Sequence, residues 1–180
     1  LKFTGHDVYQ EFYVNDAGNH IKNLGRSLYI RVKQQLGLDV DFPRDEADAN
    51  KFYVGEYLVD CAKDFCAQRP ERAAAIAKTD EVSEFDLNEL SLFAKLQMLD
   101  KQKALLKKFN TNFDNFYFET TLHERGDVQK CLDALEKSGM LYEKDGAIWV
   151  KSSKYGDDED RVIKKTDGAY TYLTADIAYH

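Results

Sequence analysis

The sequence lacks the features of several protein classes. It has no run of about 18 consecutive apolar residues, so we predict no membrane span. Its three cysteines, Cys61, Cys66 and Cys131, are odd in number and form no CxxC pair. This argues against a disulfide framework or a zinc site and fits a reducing, cytoplasmic location. The net charge of −7 opposes broad, nonspecific binding of nucleic acid by this piece alone.

The start of the chain shows no pattern of a signal peptide. Leu1-Lys2-Phe3-Thr4 runs directly into an ordinary globular pattern, so no secretory leader is visible. The chain does not begin with Met. We therefore expect it to be a piece of a larger protein or a processed product.

The first 37 residues have the pattern of a strand, a polar turn and a helix. Residues 8–14 are rich in β-branched and aromatic side chains, which predicts a strand. From Asn19 onward, apolar residues recur three and four positions apart, and Gly37 stands at a favoured C-terminal position. The predicted helix face carries Ile21, Leu24, Leu28, Val32 and Leu36. Strand, turn and helix together are half of a βαβ unit.

The middle of the chain reads as helical. Residues 38–51 are acidic, contain Pro43 and predict a connecting loop. Helices are predicted over 55–68, over 71–78 with Pro70 at the first position, and over 88–109. The apolar face of the last helix is predicted to carry Leu92, Leu96, Leu99, Lys103 and Leu106. Because this stretch holds no chemical constellation, we interpret it as an inserted helical subdomain.

The last third returns to a mixed pattern. Residues 113–119 predict a strand, and Asp127 is predicted to cap a helix that Gly139 ends. Residues 140–142 and 147–150 flank an Asp-Gly turn and predict a hairpin. Strands are also predicted over 161–165 and 170–173, followed by a helix with Thr174 as its N-cap. We thus predict an α/β fold in three parts, 1–37, 38–110 and 111–180.

Two polar groups are predicted at strand ends, where α/β proteins bind ligands. Tyr172 and Asp176 would suit a planar cationic group, because a carboxylate accepts two parallel hydrogen bonds from a guanidinium. Spacing alone favours the alternative that Asp176 merely complements a positive helix N-terminus. The cluster from Asn15 to His20, with Asp16 and Asn19, either faces a strand-end crevice or forms a self-satisfied Asx turn.

Other signals are weaker. The acidic run Asp157–Asp160 lacks the ligand spacing of a calcium loop and is interpreted as a solvated loop. The segment Lys151–Lys154 has no glycine cradle for phosphate. The helix and hairpin over 127–150 suggest an alternative, a non-catalytic winged-helix-like module that binds nucleic acid or protein. The mixed charge on that helix makes insertion into a DNA groove unfavourable.

Three stretches in order resemble bacterial arginyl-tRNA synthetase, a class I aminoacyl-tRNA synthetase. They are EFYVNDAGNHIKNL (11–24), GAIWVKSSKYGDDEDRV (146–162) and DGAYTYLTADIAYH (167–180), with a looser match at FYVGEYL (52–58). The resemblance implies a Rossmann-type catalytic domain with insertions, which activates L-arginine with ATP, with Mg²⁺, and transfers it to tRNA(Arg). It further implies that Tyr172 and Asp176 recognise the arginine guanidinium, with Asn15, Asp16, Asn19 and His180 at the pocket rim.

The sequence also departs from that family. His20 stands where the family often has Gln, and Glu159 where Lys is common. None of the four histidines has the His-x-Gly-His spacing that stabilises ATP phosphates in class I synthetases. We therefore predict that this piece supplies no catalytic residue and no metal ligand. On its own, it is expected to be inactive.

Overall fold

The computed structural model describes residues 1–43 and 51–180, which form two compact units. The helical unit comprises the described residues of 1–10 and 16–114, and the α/β unit comprises 11–15 and 115–180. Part of the loop predicted over 38–51 lies outside the described residues. The division into 1–37, 38–110 and 111–180 stays a prediction, because the two units alternate along the chain and do not distinguish a catalytic part from an inserted one.

The helical unit has four described helices around one apolar core. They are α1 (Asn19–Gln35), α2 (Glu56–Gln68), α3 (Pro70–Ala77) and α4 (Glu84–Lys108). Pro70 is the first residue of α3, as predicted. Fully buried side chains in this core include Leu28, Val32, Leu58, Phe65, Ile76 and Leu90. No helix of the described residues is long and apolar enough to cross a membrane.

The end of α1 confirms the prediction made for Gly37. Gly37 has a φ of 82°, in the left-handed region, and its N–H donates to the carbonyl of Gln34 at 3.0 Å. The N–H of Leu38 donates to the carbonyl of Lys33 at 3.1 Å, which completes a Schellman motif. Leu36 lies beyond the last helical residue and is exposed, so its assignment to the buried face was wrong.

Helix α4 differs from its prediction in both start and orientation. It begins at Glu84 rather than Asn88, because the Ser83 hydroxyl caps it by accepting a hydrogen bond from the Asp86 N–H. Of the face predicted for this helix, Leu99 is buried, whereas Leu92 and Leu96 are exposed. The buried face instead carries Leu87, Leu90, Ser91, Phe93, Ala94 and Leu99.

Close contact with α1 accounts for this orientation of α4. A Cβ placed on Gly25 of α1 would lie 2.1 Å from Ser91 Oγ and 2.9 Å from the Leu87 carbonyl oxygen. The missing side chain of Gly25 therefore lets the two helices pack backbone to backbone. Leucines occur on more than one side of α4, so this contact decides which of them are buried.

The α/β unit is built on a parallel strand pair. Strands β1 (Glu11–Val14) and β2 (Asn115–Phe118) pair in register, from Glu11 opposite Asn115 to Val14 opposite Phe118. Both are shorter than the predicted strands. Parallel neighbours need a crossover, and residues 16–114 supply it, which agrees with the predicted βαβ arrangement.

The rest of this unit packs helices on a second, antiparallel sheet. The elements are α5 (Thr120–Glu124), α6 (Asp127–Lys137), β3 (Leu141–Lys144), β4 (Ala147–Val150), β5 (Arg161–Lys164) and α7 (Tyr172–Tyr179), with strand order β3-β4-β5. Asp145 and Gly146 both have positive φ, so the predicted Asp-Gly hairpin is confirmed. Asp127 does not cap α6: Gly126 is the N-cap and Asp127 the first helical residue.

Helix α7 begins earlier than predicted. Its first residue is Tyr172 and its N-cap is Thr171, so the strand over 170–173 and the N-cap at Thr174 were wrong. The hydroxyl of Thr171 donates to the Val162 carbonyl at 2.8 Å, and buried Thr174 donates to the Ile163 carbonyl. Because both threonines bond to β5, the helix can start directly beside that strand.

Candidate functional site

Tyr172 and Asp176 lie on one face of α7. They are four residues apart, so they occupy consecutive turns of the same helix. Tyr172 is 83% exposed, and Asp176 is also exposed. Neither side chain makes a hydrogen bond within residues 1–43 and 51–180. The structure therefore brings the two predicted residues together on a helix, with their polar groups open to a ligand.

Tyr172 also lines a cavity of about 670 Å³ within the α/β unit. The lining combines apolar and polar side chains and includes Leu135, Met140, Val150, Tyr155, Asp157, Arg161, Leu173 and Ile177. Asp176 is not among the lining residues of this cavity.

One lining residue of this cavity, Arg161, has a guanidinium that is already bound by carboxylates. Arg161 donates from Nε to Asp157 Oδ2 at 2.9 Å and from Nη2 to Asp157 Oδ1 at 2.7 Å. Its Nη1 donates to Glu159 Oε1 at 3.0 Å. The bonds from Arg161 hold the pKa of Asp157 well below its usual range, and the pKa of Arg161 is raised in return. This pair shows the fork geometry that a carboxylate offers to a guanidinium.

Carboxylates of the acidic run 157–160 accept hydrogen bonds from other residues of the α/β unit. Besides the pair just described, Asp160 accepts hydrogen bonds from the Ser153 hydroxyl at 2.7 Å and the Tyr142 hydroxyl at 2.9 Å. These bonds lower the pKa of Asp160, with the Ser153 hydroxyl as the largest cause. No group of three or more His, Cys, Asp or Glu side chains within the described residues is arranged to hold a metal ion.

Asp16, from the predicted pocket rim, is committed to an ion pair in the helical unit. It is 3% exposed, and its Oδ2 accepts from Lys95 Nζ at 2.8 Å. Asn19, also in this unit, is the exposed first residue of α1, after Gly18 as N-cap. The pairing of Asp16 has no signal in the sequence, because Lys95 is one of many charged residues on α4.

Asn15 and His180 belong to the α/β unit. Asn15 is exposed at the carboxyl end of β1, where the predicted strand-end position places it. His180 follows α7, and its ring lies 5.0 Å from the ring of Tyr179. Their assignment to a pocket rim, together with that of Asp16 and Asn19, stays a prediction.

Sequence reasoning missed a contact that involves α7 itself. The Tyr179 hydroxyl donates to Glu11 Oε1, and Asn115 Nδ2 donates to Glu11 Oε2 at 2.5 Å. These two hydrogen bonds, with that from Tyr179 the larger cause, lower the pKa of Glu11. The only signal in the sequence is an acidic residue that opens an otherwise apolar strand.

The alternative module over 127–150 is only partly matched by the structure. Helix α6 and the β3–β4 hairpin are present, but β5 joins them as a third strand. On α6, Lys130 bonds to Asp127 at 2.7 Å and Gln129 bonds to Asp133 at 2.8 Å. Groups that would read nucleic acid are therefore paired within the helix.

Comparison with known proteins identifies one family. The family described as "tRNA synthetases class I (R), catalytic domain" matches residues 1–180. The curated "Arginine--tRNA ligase 1" of Halalkalibacterium halodurans is 43% identical over 180 residues, covering 100% of this chain and 30% of the relative. The "Arginine--tRNA ligase" of Staphylococcus carnosus is 38% identical over 186 residues, with 100% and 30% covered. The chain thus spans less than a third of these relatives.

Solved structures agree with this family. The crystal structure of a Campylobacter jejuni protein described as an arginyl-tRNA synthetase has a TM-score of 0.81 and 35% identity, covering 99% of this chain and 36% of that one. The Thermus thermophilus arginyl-tRNA synthetase has a TM-score of 0.58 and 22% identity, covering 99% and 29%. The second likeness concerns the fold alone. The predicted class I synthetase fold is confirmed, and the comparisons favour it over the winged-helix alternative.

Proposed function

The chain belongs to the catalytic-domain family of class I tRNA synthetases for arginine, and from that premise we propose that it recognises the arginine side chain. The protein that contains it would activate L-arginine with ATP and attach it to tRNA(Arg). This activity is the one that the names of the relatives state. Because the chain spans 30% of their length, the remaining activity is assigned to the complete protein.

The observation that carries the proposal is the open Tyr172–Asp176 face of α7. Asp176 offers two carboxylate oxygens and Tyr172 a hydroxyl, all exposed and without hydrogen bonds in the described part of the chain. A guanidinium donates two parallel N–H bonds to a carboxylate, and a tyrosine hydroxyl accepts another. Hydrogen bonds to charged groups contribute about 1.5–3 kcal/mol each. The pair thus provides both affinity and orientation.

Geometry would supply most of the discrimination against lysine. An ammonium is a compact point charge, whereas a guanidinium presents a flat fork of donors. Asp176 attracts both, but only the fork satisfies both carboxylate oxygens while it reaches Tyr172. The site therefore prefers arginine by matching donors to acceptors rather than by charge.

The groups that act on ATP are assigned outside this chain. Neither the histidine signature of class I synthetases nor a cluster of metal ligands occurs among the described residues. ATP, with Mg²⁺, would be bound by the complete protein. The role of this chain is to bind and orient arginine.

The test is the arginine-dependent exchange of pyrophosphate into ATP by the full-length protein, with tRNA present. Asp176→Asn should lower kcat/KM for arginine by about 10- to 100-fold, since it removes one charge-assisted acceptor. Asp158→Asn is a matched control, because Asp158 is an exposed aspartate of the same unit that lies outside α7. Equal kcat/KM for the two variants would disprove the proposed role of Asp176.

A further inference from the structure

We propose that Glu11 is a positioning residue that, through Tyr179, sets the orientation in which α7 presents Tyr172 and Asp176. The inference rests on the proposed function, because it assigns a task to α7. Glu11 opens β1 and Tyr179 ends α7, so their bond joins residues that are 168 positions apart. Neither side chain is assigned to contact arginine.

The Glu11 carboxylate is held from both sides. Its Oε1 accepts from Tyr179, and its Oε2 accepts from Asn115 on β2 at 2.5 Å. Because Asn115 lies directly opposite Glu11 in the paired parallel strands, its hydrogen bond holds the carboxylate in place independently of α7. A carboxylate with both oxygens occupied is a directional anchor.

The Tyr179 ring packs against the same strands but constrains the helix less. It lies 4.8 Å from the ring of Tyr13 and 4.9 Å from the ring of Tyr117. Such ring contacts tolerate sliding and tilting, whereas the hydroxyl bond requires one position of Tyr179. The bond therefore adds orientation to a contact that is otherwise held by apolar packing.

The other end of α7 has its own anchors. Thr171 donates to the Val162 carbonyl at 2.8 Å, and Thr174 donates to the Ile163 carbonyl on β5. A helix of eight residues tied at both ends can neither tilt nor rotate freely. If the Glu11 bond is lost, the ring contacts of Tyr179 remain but Glu11 no longer sets the position of its hydroxyl, and the directions of Tyr172 and Asp176 become less defined.

The experiment compares two tyrosine hydroxyls in the same unit, using the full-length protein. Tyr179→Phe removes the bond to Glu11 and keeps the ring. Tyr142→Phe is the matched control, because it removes a tyrosine–carboxylate bond to Asp160 at 2.9 Å that does not involve α7. The measured quantities are KM for arginine, KM for ATP, kcat and thermal stability.

We expect Tyr179→Phe to raise KM for arginine by about three- to tenfold, below the roughly hundredfold that a 1 Å misplacement costs. The KM for ATP should change by less than about twofold on the same reasoning. Tyr142→Phe should leave both KM values unchanged even where it lowers thermal stability. Glu11→Gln retains an acceptor for Tyr179 and should restore much of the arginine affinity that Glu11→Ala loses.

Two results would overturn the inference, and they differ in what else they affect. If Asp176→Asn raises KM for arginine while Tyr179→Phe behaves like Tyr142→Phe, the positioning role of Glu11 is wrong and the proposed function stands. If Asp176→Asn also leaves KM for arginine unchanged, the proposed function fails and the inference fails with it.

Discussion

Asp16 and Asp176 are two carboxylates predicted for one site, and the structure treats them in opposite ways. Asp16 is buried and paired with Lys95 at 2.8 Å in the helical unit. Asp176 is exposed on α7 in the α/β unit and makes no hydrogen bond in the described residues. A buried carboxylate whose charge is matched within the protein stabilises the fold, whereas an open one remains available to a ligand.

The comparison shows why a strand-end polar cluster is ambiguous. Such a cluster holds groups that build the turn and groups that face the crevice, and residue type does not separate them. The two kinds of group differ in whether a residue elsewhere in the chain forms a hydrogen bond or an ion pair with their polar atoms. By that criterion Asp16 is bonded within the protein, and Asp176 stays the residue that we propose for binding.

The largest expected effect is on stability, from Lys95→Met. This change removes the cation of a buried ion pair and should lower the free energy of unfolding by about 3–5 kcal/mol. Chemical denaturation measures it. The control is Lys101→Met on an exposed position of the same helix, which should be near neutral. Equal stabilities for the two variants would remove the distinction drawn between Asp16 and Asp176.

The second effect concerns the packing that orients α4. Gly25→Ala places a Cβ within 2.1 Å of Ser91 Oγ and should cost about 1–3 kcal/mol of unfolding free energy. Ser91→Ala should be mild, because Ser91 Oγ is buried and has no hydrogen-bond partner among residues 1–43 and 51–180. A Gly25→Ala variant as stable as the parent would mean that the two helices are not held as closely as described.

The third effect isolates the hydroxyl on the open face. Tyr172→Phe removes one neutral hydrogen-bonding group and should raise KM for arginine by about three- to tenfold, equivalent to about 0.5–1.5 kcal/mol. Its thermal stability should be unchanged, because Tyr172 is 83% exposed. A loss of stability without a change in KM would make Tyr172 a structural residue.

The smallest effect is the response of the 152–160 loop to acid. The bidentate bond from Arg161 lowers the pKa of Asp157 below its ordinary value of 3.8. Because the pKa of Asp157 is lower in the folded state, the ion pair stabilises the folded protein at pH values above the unfolded-state pKa. This contribution is lost as the pH falls below about 4 toward the folded-state pKa. The protection factors of the loop amides, which compare each exchange rate with the intrinsic rate at the same pH, should therefore fall on acidification.

Arg161→Met provides the control for that acid response. Without the guanidinium, the loop amides should have low protection factors at neutral pH and lose less protection on acidification. Asp158→Asn, which leaves the bonds between Arg161 and Asp157 in place, should retain the acid response of the parent. Protection factors in the parent loop that do not change with pH would contradict the assigned ion pair.

Local signals predicted local structure well. The end of α1 at Gly37, the start of α3 at Pro70 and the Asp145-Gly146 turn each depend on backbone preferences within a few residues. The family resemblance, carried by short motifs, was confirmed by the comparisons. These features could be predicted because the chain determines them over short distances.

Features that depend on distant residues could not be predicted. The start of α7 depends on threonine bonds to β5, and the buried face of α4 depends on Gly25. Lys95 and Asp16 are 79 positions apart, and Tyr179 and Glu11 are 168. No periodicity or spacing pairs such residues, so the assignment of Asp16 and Glu11 to supporting roles required the structure.

The most direct test of the account is equilibrium binding of L-arginine and L-lysine to the full-length protein and its Asp176→Asn variant, by calorimetry. We predict that the parent binds arginine selectively and that the variant loses this preference while its unfolding free energy stays the same. A variant that binds arginine as selectively as the parent would contradict the claim that the open carboxylate of α7 recognises the guanidinium.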